Sequence, residues 1–268
     1  MNFIDTHTHL YVEEFDHDRD AVIQRAVDIG VDRFFLPAID KSYYERMMSV
    51  AGRHSEHCYP MIGLHPTSIK ANFLEELDFV KEMLEKGREK FYGIGEIGID
   101  LYWDKTFVNE QNFAFNYQLD LAIEYHLPVV IHTRNSFDIA IKMIREKNNP
   151  ELKGVFHCFS GSVEQAQQAM ELGFMLGIGG IITYKNSGLQ KVVEVTGLTH
   201  LVLETDAPYL PPAPYRGKRN ESAFIPVIAE KIAKLKHVSI EEVAKKTTQN
   251  AVTLFNLMLD SGYWMLDN

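Results

Sequence analysis

His7 and His9 form a His-x-His at the end of a short apolar run, Phe3–Thr6. Side chains two apart on a strand point the same way, so both imidazoles can reach one ion. Alone, the pair is a moderate signal, with chance surface histidines as the plain alternative. The same placement recurs along the chain: Gly95-Glu96 ends the run from Phe91, His132 follows Pro128–Ile131, His157 follows Gly154–Phe156, and Glu204-Thr205-Asp206 follows Leu201–Leu203. Any one of these is ordinarily a satisfied loop residue. An ionisable group just past an apolar run is costly to bury unless it is paired or metal-bound, and so many arriving together argue for one site. Four imidazoles (His7, His9, His132, His157) and two carboxylates (Glu96, Asp206) exceed one tetrahedral ion and suit two. Glu96 would bridge with both oxygens, with His7, His9 and Asp206 on one metal and His132 and His157 on the other. Mixed nitrogen and oxygen ligands suit Zn²⁺ or Mn²⁺, and Mg²⁺ where waters complete the shell. Two ions about 3.5–4 Å apart can activate a water and clamp attacking and leaving oxygens, which is hydrolysis, most naturally of a phosphoester. Arg134, two past His132, shares its direction if the strand continues and is expected to clamp a phosphate bidentately; the plain alternative is a loop arginine.

Residues so scattered meet only if the elements carrying them converge. The remaining β-rich runs are Asp32–Pro37, Cys58–Gly63 and Phe174–Ile178, and amphipathic stretches lie between all of the runs, around 17–29, 41–53, 73–86, 107–125, 136–147, 162–171, 186–196 and 221–236. Asp16 or Asp18, Ser136 and Ser162 are helix starts, and Gly30, Gly87 and Gly173 are stops. Strand-like runs each followed by a helix predict a parallel sheet. Eight such repeats favour a (β/α)8 TIM-type barrel, with an open doubly wound sheet second. In a barrel the strand-end residues converge on the C-terminal face, where active sites lie. Ser239–Leu259 opens with a near capping box and adds a C-terminal helix. With no linker or repeat visible, residues 1–268 read as one domain.

The chain carries 27 Lys+Arg against 37 Asp+Glu, a formal net charge of −10, which argues against coating nucleic acid by bulk charge but not against gathering a phosphate locally. Cys58 and Cys158 are too few for a disulfide framework. The first residues lack a secretory pattern and no apolar run reaches the ~18 residues of a membrane span, so a cytoplasmic monomer with no membrane contact is expected. Gly93–Gly98 matches G-x-G-x-x-G, but no helix follows, so it is not a dinucleotide site. Cys158, beside His157, is expected to pack outward. Arg216, Lys218 and Arg219, with Tyr209 and Tyr215 nearby, either hold a single strand or form a solvated face. Tyr102 and Trp103 either stack a base or pack on the rim.

The segments FIDTHTHL, GLHP, GIGEIGID, VIHTR, FHCFSG and LETDAPYLPP together resemble the TatD family of metal-dependent deoxyribonucleases, in the family's order from residue 3 to about 222. The resemblance implies a TIM-type barrel, a two-metal centre and hydrolysis of DNA phosphodiesters, often as a 3′–5′ exonuclease on single-stranded ends. It implies the ligand roles given above, places His65 of GLHP against the substrate phosphate, and has Asp206 orient or deprotonate the attacking water. Read from the residues alone, His65 is as well a capping or structural histidine. The chain departs from the family in lacking a proline at Ser222, in Tyr215 where histidine is common, and in lacking a basic residue near Phe255. The rival readings are an amidohydrolase- or phosphotriesterase-like enzyme cleaving an amide or ester, such as an aminoacyl-tRNA, and a non-catalytic metal- or nucleic-acid-binding module.

Overall fold

In the computed structural model, residues 1–257 are described. β1 (Phe3–Asp5), β2 (Val31–Leu36) and β3 (Cys58–Pro60) form one parallel sheet. β4 (Ile94–Asp100), β5 (Val129–Arg134), β6 (Gly154–Phe156), β7 (Met175–Ile178) and β8 (Leu201–Leu203) form a second, in chain order. Backbone hydrogen bonds stitch both seams. Thr6 N–H donates to Leu203 O, Asp206 N–H to His7 O and His9 N–H to Ala207 O at 2.8–2.9 Å, while Gly95 N–H donates to Ile62 O at 2.9 Å. The strands therefore form a barrel of the expected (β/α)8 type. Helices α1 (Arg19–Asp28), α2 (Tyr44–Arg53), α3 (Phe73–Gly87), α4 (Val108–Tyr125), α5 (Phe137–Lys147), α6 (Val163–Glu171), α7 (Leu189–Val195) and α8 (Ile225–Lys236) each follow one strand.

α9 (Ile240–Leu254) is the additional helix, and its expected end at Leu259 lies outside the described residues. It closes the barrel from the side opposite the strand ends. Inward-facing Ile4, Phe35, Met61, Val130, Val155 and Val202 pack with Ala251, Val252 and Phe255, and the Phe35 and Phe255 rings are 4.1 Å apart. The outward residues of the strands join the helices in the larger core. A filled interior leaves only one open end, so polar side chains gathered there face a cleft rather than a channel.

Local chemistry accounts for most boundaries. Ser162 caps α6 through a complete capping box, and Ser239 accepts from Glu242 N–H at the start of α9. Ser136 and Asp18 stand at helix starts but cap neither helix: Ser136 Oγ donates to Ile99 O, and Asp18 binds Arg219. β4 departs from expectation. It begins later than Phe91 and runs through Glu96 to Asp100, so Glu96 lies within the strand. Its register against β5 shifts between Ile94 and Ile97. Gly98, at φ +143°, allows this approach, because a Cβ there would meet His132 O at 2.0 Å. No helix among the described residues is long and apolar enough to cross a membrane.

Candidate metal centre

The two oxygens of Glu96 divide the open end of the barrel into two sets of ligand-type atoms. Around Oε2 stand His7 Nε2 at 3.1 Å and His9 Nε2 at 3.7 Å. These nitrogens are 3.3 Å apart, and Asp206 Oδ1 is 3.6 Å from each. Around Oε1 stand His132 Nδ1 at 3.0 Å, His65 Nε2 at 3.2 Å and His157 Nε2 at 3.3 Å. Atoms bound about 2.0–2.1 Å from a tetrahedral ion are about 3.3–3.4 Å from one another, so both sets have the spacing of a coordination shell. His157 also stacks on His7, ring centroids 3.7 Å apart, between the two sets.

Supporting hydrogen bonds settle which nitrogen His9 and His65 present. Tyr11 Oη donates to Pro37 O, so at His9 Nδ1, 2.9 Å away, it accepts; His9 thus carries its proton on Nδ1 and leaves Nε2 bare. His132 Nε2 donates to Asp100 Oδ2 at 2.9 Å, and the two carboxylates raise the ring against burial, so Nδ1, 3.0 Å from Glu96 Oε1, donates there and would turn its lone pair to a metal on losing that proton. His65 has the opposite arrangement. Thr67 N–H donates to its Nδ1 at 3.2 Å, so the neutral ring offers Nε2–H. Its Nε2 is within ligand distance, but it presents a donor rather than a lone pair. His157 Nδ1 lies 3.2 Å from Glu204 Oε1, off hydrogen-bond geometry, and Cys158 N–H donates to that same oxygen. Asp5 accepts from Thr205 N–H and Oγ–H and from His7 N–H, tying β1 to the segment that carries Asp206.

The charges favour a cation. Burial opposes ionisation of Glu96, yet the imidazoles of His157, His65 and His7 hold its carboxyl well below the usual carboxylate range. Asp206 is likewise held low against burial, by the neighbouring imidazoles of His9, His157 and His7. At His157 burial disfavours the charged ring, but Glu96, Glu204 and Asp206 prevail and push it up to about 10. Burial lowers His7 and His65. Carboxylates that keep a proton on a buried imidazole create the demand that a divalent cation meets. The residues therefore fit metal ions.

All four histidines and both carboxylates expected from the sequence meet here, and His65 joins them. Arg134 does not. It is exposed, with its guanidinium 3.8 Å from the Tyr102 ring centroid and 5.1 Å from that of Trp103, because the aromatic loop after β4 offers a face that the ligand cluster does not. Nor is the 216–219 patch wholly free: Arg219 binds Asp18 and Glu221 and lies over Phe15, and Tyr215 stacks on Phe224. Sequence reasoning missed Tyr11 and Asp100 and gave Glu204 no role. The available signal was periodicity, since Tyr11 is two past His9, Glu204 two before Asp206, and Asp100 ends β4 four past Glu96.

The comparisons accord with this geometry. A family model described as TatD related DNase matches residues 4–256. The chain is 38% identical over 254 residues to an uncharacterized metal-dependent hydrolase, YabD, of Bacillus subtilis, covering 94% of this chain and 98% of YabD. It is 32% identical over 251 residues to the 3′-5′ ssDNA/RNA exonuclease TatD of Erwinia tasmaniensis, covering 91% and 96%. The crystal structure of YjjV, a TatD homologue from Escherichia coli K12, superposes with a TM-score of 0.90 at 33% identity, covering 96% of this chain and 98% of that one. With a family model matched over nearly all of its described residues and likenesses that run nearly the full length of both chains, the chain belongs to the TatD family of metal-dependent hydrolases.

Proposed function

We propose that the chain cleaves DNA phosphodiester bonds, removing nucleotides from single-stranded 3′ ends, with His7, His9, Glu96 and Asp206 holding one divalent ion and Glu96, His132 and His157 a second. The observation that carries this reading is the division of ligand atoms between the two oxygens of one buried carboxylate, Glu96. The likeness to an exonuclease named for single-stranded DNA and RNA supports the substrate class. Bound at such a centre, Mg²⁺, Mn²⁺ or Zn²⁺ supplies Lewis acidity and lowers the pKa of a water.

The side chains do the rest. Asp206, kept ionised beside His7 and His9, orients the attacking water and accepts its proton. His65 donates Nε2–H to a non-bridging phosphate oxygen and offsets the charge that develops there. The water oxygen forms the new bond to phosphorus, the bond to the 3′ oxygen breaks, and a proton ends on that oxygen. Arg134, stacked on the rim, acts on the strand there rather than on the scissile phosphate. The test is nucleotide release from a 3′-labelled single strand in Mg²⁺, Mn²⁺, Zn²⁺ or EDTA, with Glu96→Ala alongside. Stepwise, metal-dependent shortening that falls by at least about 10³-fold in the variant is expected. No cleavage with any metal would move the activity to amide or ester substrates.

A further inference from the structure

The cleft above the centre encloses about 470 Å³, within the range of about 300–1,000 Å³ that takes a small ligand. His9, Glu96, His65 and His132 line its floor, and three aromatic side chains, Tyr43, Trp103 and Tyr209, line its sides, Trp103 and Tyr209 the more exposed. Trp103 follows β4 and Tyr209 follows β8, strands on opposite sides of an eight-stranded barrel, so the two rings approach the cleft from opposite rims. Both are well exposed, Trp103 at 68% and Tyr209 at 46%, which leaves ring surface open to a ligand.

Each ring is nevertheless anchored to the centre. Asp100 Oδ1 accepts from the backbone N–H groups of Tyr102 and Trp103 at 2.8 and 3.1 Å, while Oδ2 of the same carboxylate holds the His132 ring. Arg134 caps Tyr102, whose ring meets Trp103 edge-on at 4.9 Å. On the other rim Tyr209 O accepts from Asn220 Nδ2, and the Tyr209 ring lies 6.1 Å from His9. One carboxylate thus sets an aromatic face and a ligand-type imidazole in fixed relation.

We propose that Trp103 and Tyr209 form a clamp across the cleft that takes the last, unpaired nucleobase of the strand, and so make the enzyme require a base it can stack at the 3′ end. The inference deepens the nuclease reading and rests on it. Stacking on an aromatic face is indifferent to base identity but needs the base out of a duplex. The clamp therefore selects for unpaired ends without selecting sequence.

The test compares metal-loaded full-length wild type, Trp103→Ala and Tyr209→Ala on two single strands, one ending in an ordinary nucleotide and one in an abasic nucleotide. Wild type should favour the ordinary end by about 10- to 100-fold in kcat/KM. Each alanine variant should lose most of that preference through KM on the ordinary strand, with the rate on the abasic strand unchanged, and Trp103→Phe should restore it. Variants that slow both strands equally, or neither, overturn the clamp. Shortening by wild type with no preference overturns the clamp alone; no shortening of either strand with any of the three metals overturns the nuclease reading and the clamp with it.

Discussion

At the scale of single residues, the centre depends on atoms one bond removed from the proposed ligands. Tyr11 fixes the His9 tautomer by accepting from Nδ1 while giving its own proton to Pro37 O. Tyr11→Phe keeps the buried ring but strips that acceptor, so metal affinity should fall by about 10- to 100-fold with little change in folding; chelator competition checks this, and an unchanged affinity would show that His9 needs no orienting partner. Proton uptake is the second handle. In the metal-free protein His157 is pushed up to about 10, so at pH 8 it is charged, and a bound metal must displace its proton. Calorimetric titration with Mn²⁺ or Zn²⁺ in two buffers of different ionisation enthalpy should therefore report release of about one proton or more. The same shift bears on folding. A histidine whose folded pKa is raised contributes stability that is fully present below about pH 6.5 and is lost as pH rises toward 10. Chemical denaturation of metal-free protein should show that decline between those limits, and metal should flatten it.

The secondary elements were legible where period and capping speak, and less so where one strand departs from its neighbours. The alternation of short apolar runs with amphipathic stretches matched the observed order of strands and helices, and Ser162 capped α6 through a full box. His157 follows the end of β6 as expected, whereas His132 lies within β5, which runs on to Arg134. β4 did not follow the pattern, because its register shift and the close approach at Gly98 depend on β5, which no local window reports. His65 was ambiguous for a related reason: its role turns on a bond from Thr67 N–H that exists only once the turn at Pro66–Ser68 forms. The barrel floor was also hidden, since an amphipathic helix at the end of a chain does not say which end of the barrel it covers. Phe255 stacks on Phe35 from α9's C-cap, so Phe255→Ala should cost about 3–5 kcal/mol in urea unfolding. A loss below about 1 kcal/mol would mean that α9 only leans on the barrel.

Over the whole molecule the electrostatics run against a nucleic-acid substrate, and under the proposed nuclease reading that constrains how a strand would be held. The formal net charge is −10, and many cations are already spent inside the protein: Arg219 on Asp18 and Glu221, Arg25 on Glu221, Arg19 and Arg46 on Asp16. Arg134 lies on aromatic rings, and Arg216 lies over Tyr184. With Lys185 and Lys218 these are exposed cations that form no ion pair among the described residues. Affinity must then come from the metal centre and from stacking rather than from a basic track. Each phosphate neutralised on a single strand adds about −0.7 to the slope of log K against log salt, so contacts from these four cations give a slope of about −3. Anisotropy of a labelled single strand with phosphorothioate linkages at its 3′ end, titrated between 50 and 200 mM KCl with metal present, measures that slope. Substituting Arg216 and Lys218 together by Ala should make it shallower by no more than about 1.4, with equal weakening for every sequence. A slope steeper than about −5 would require more cations than these four, and would place strand recognition outside the cleft.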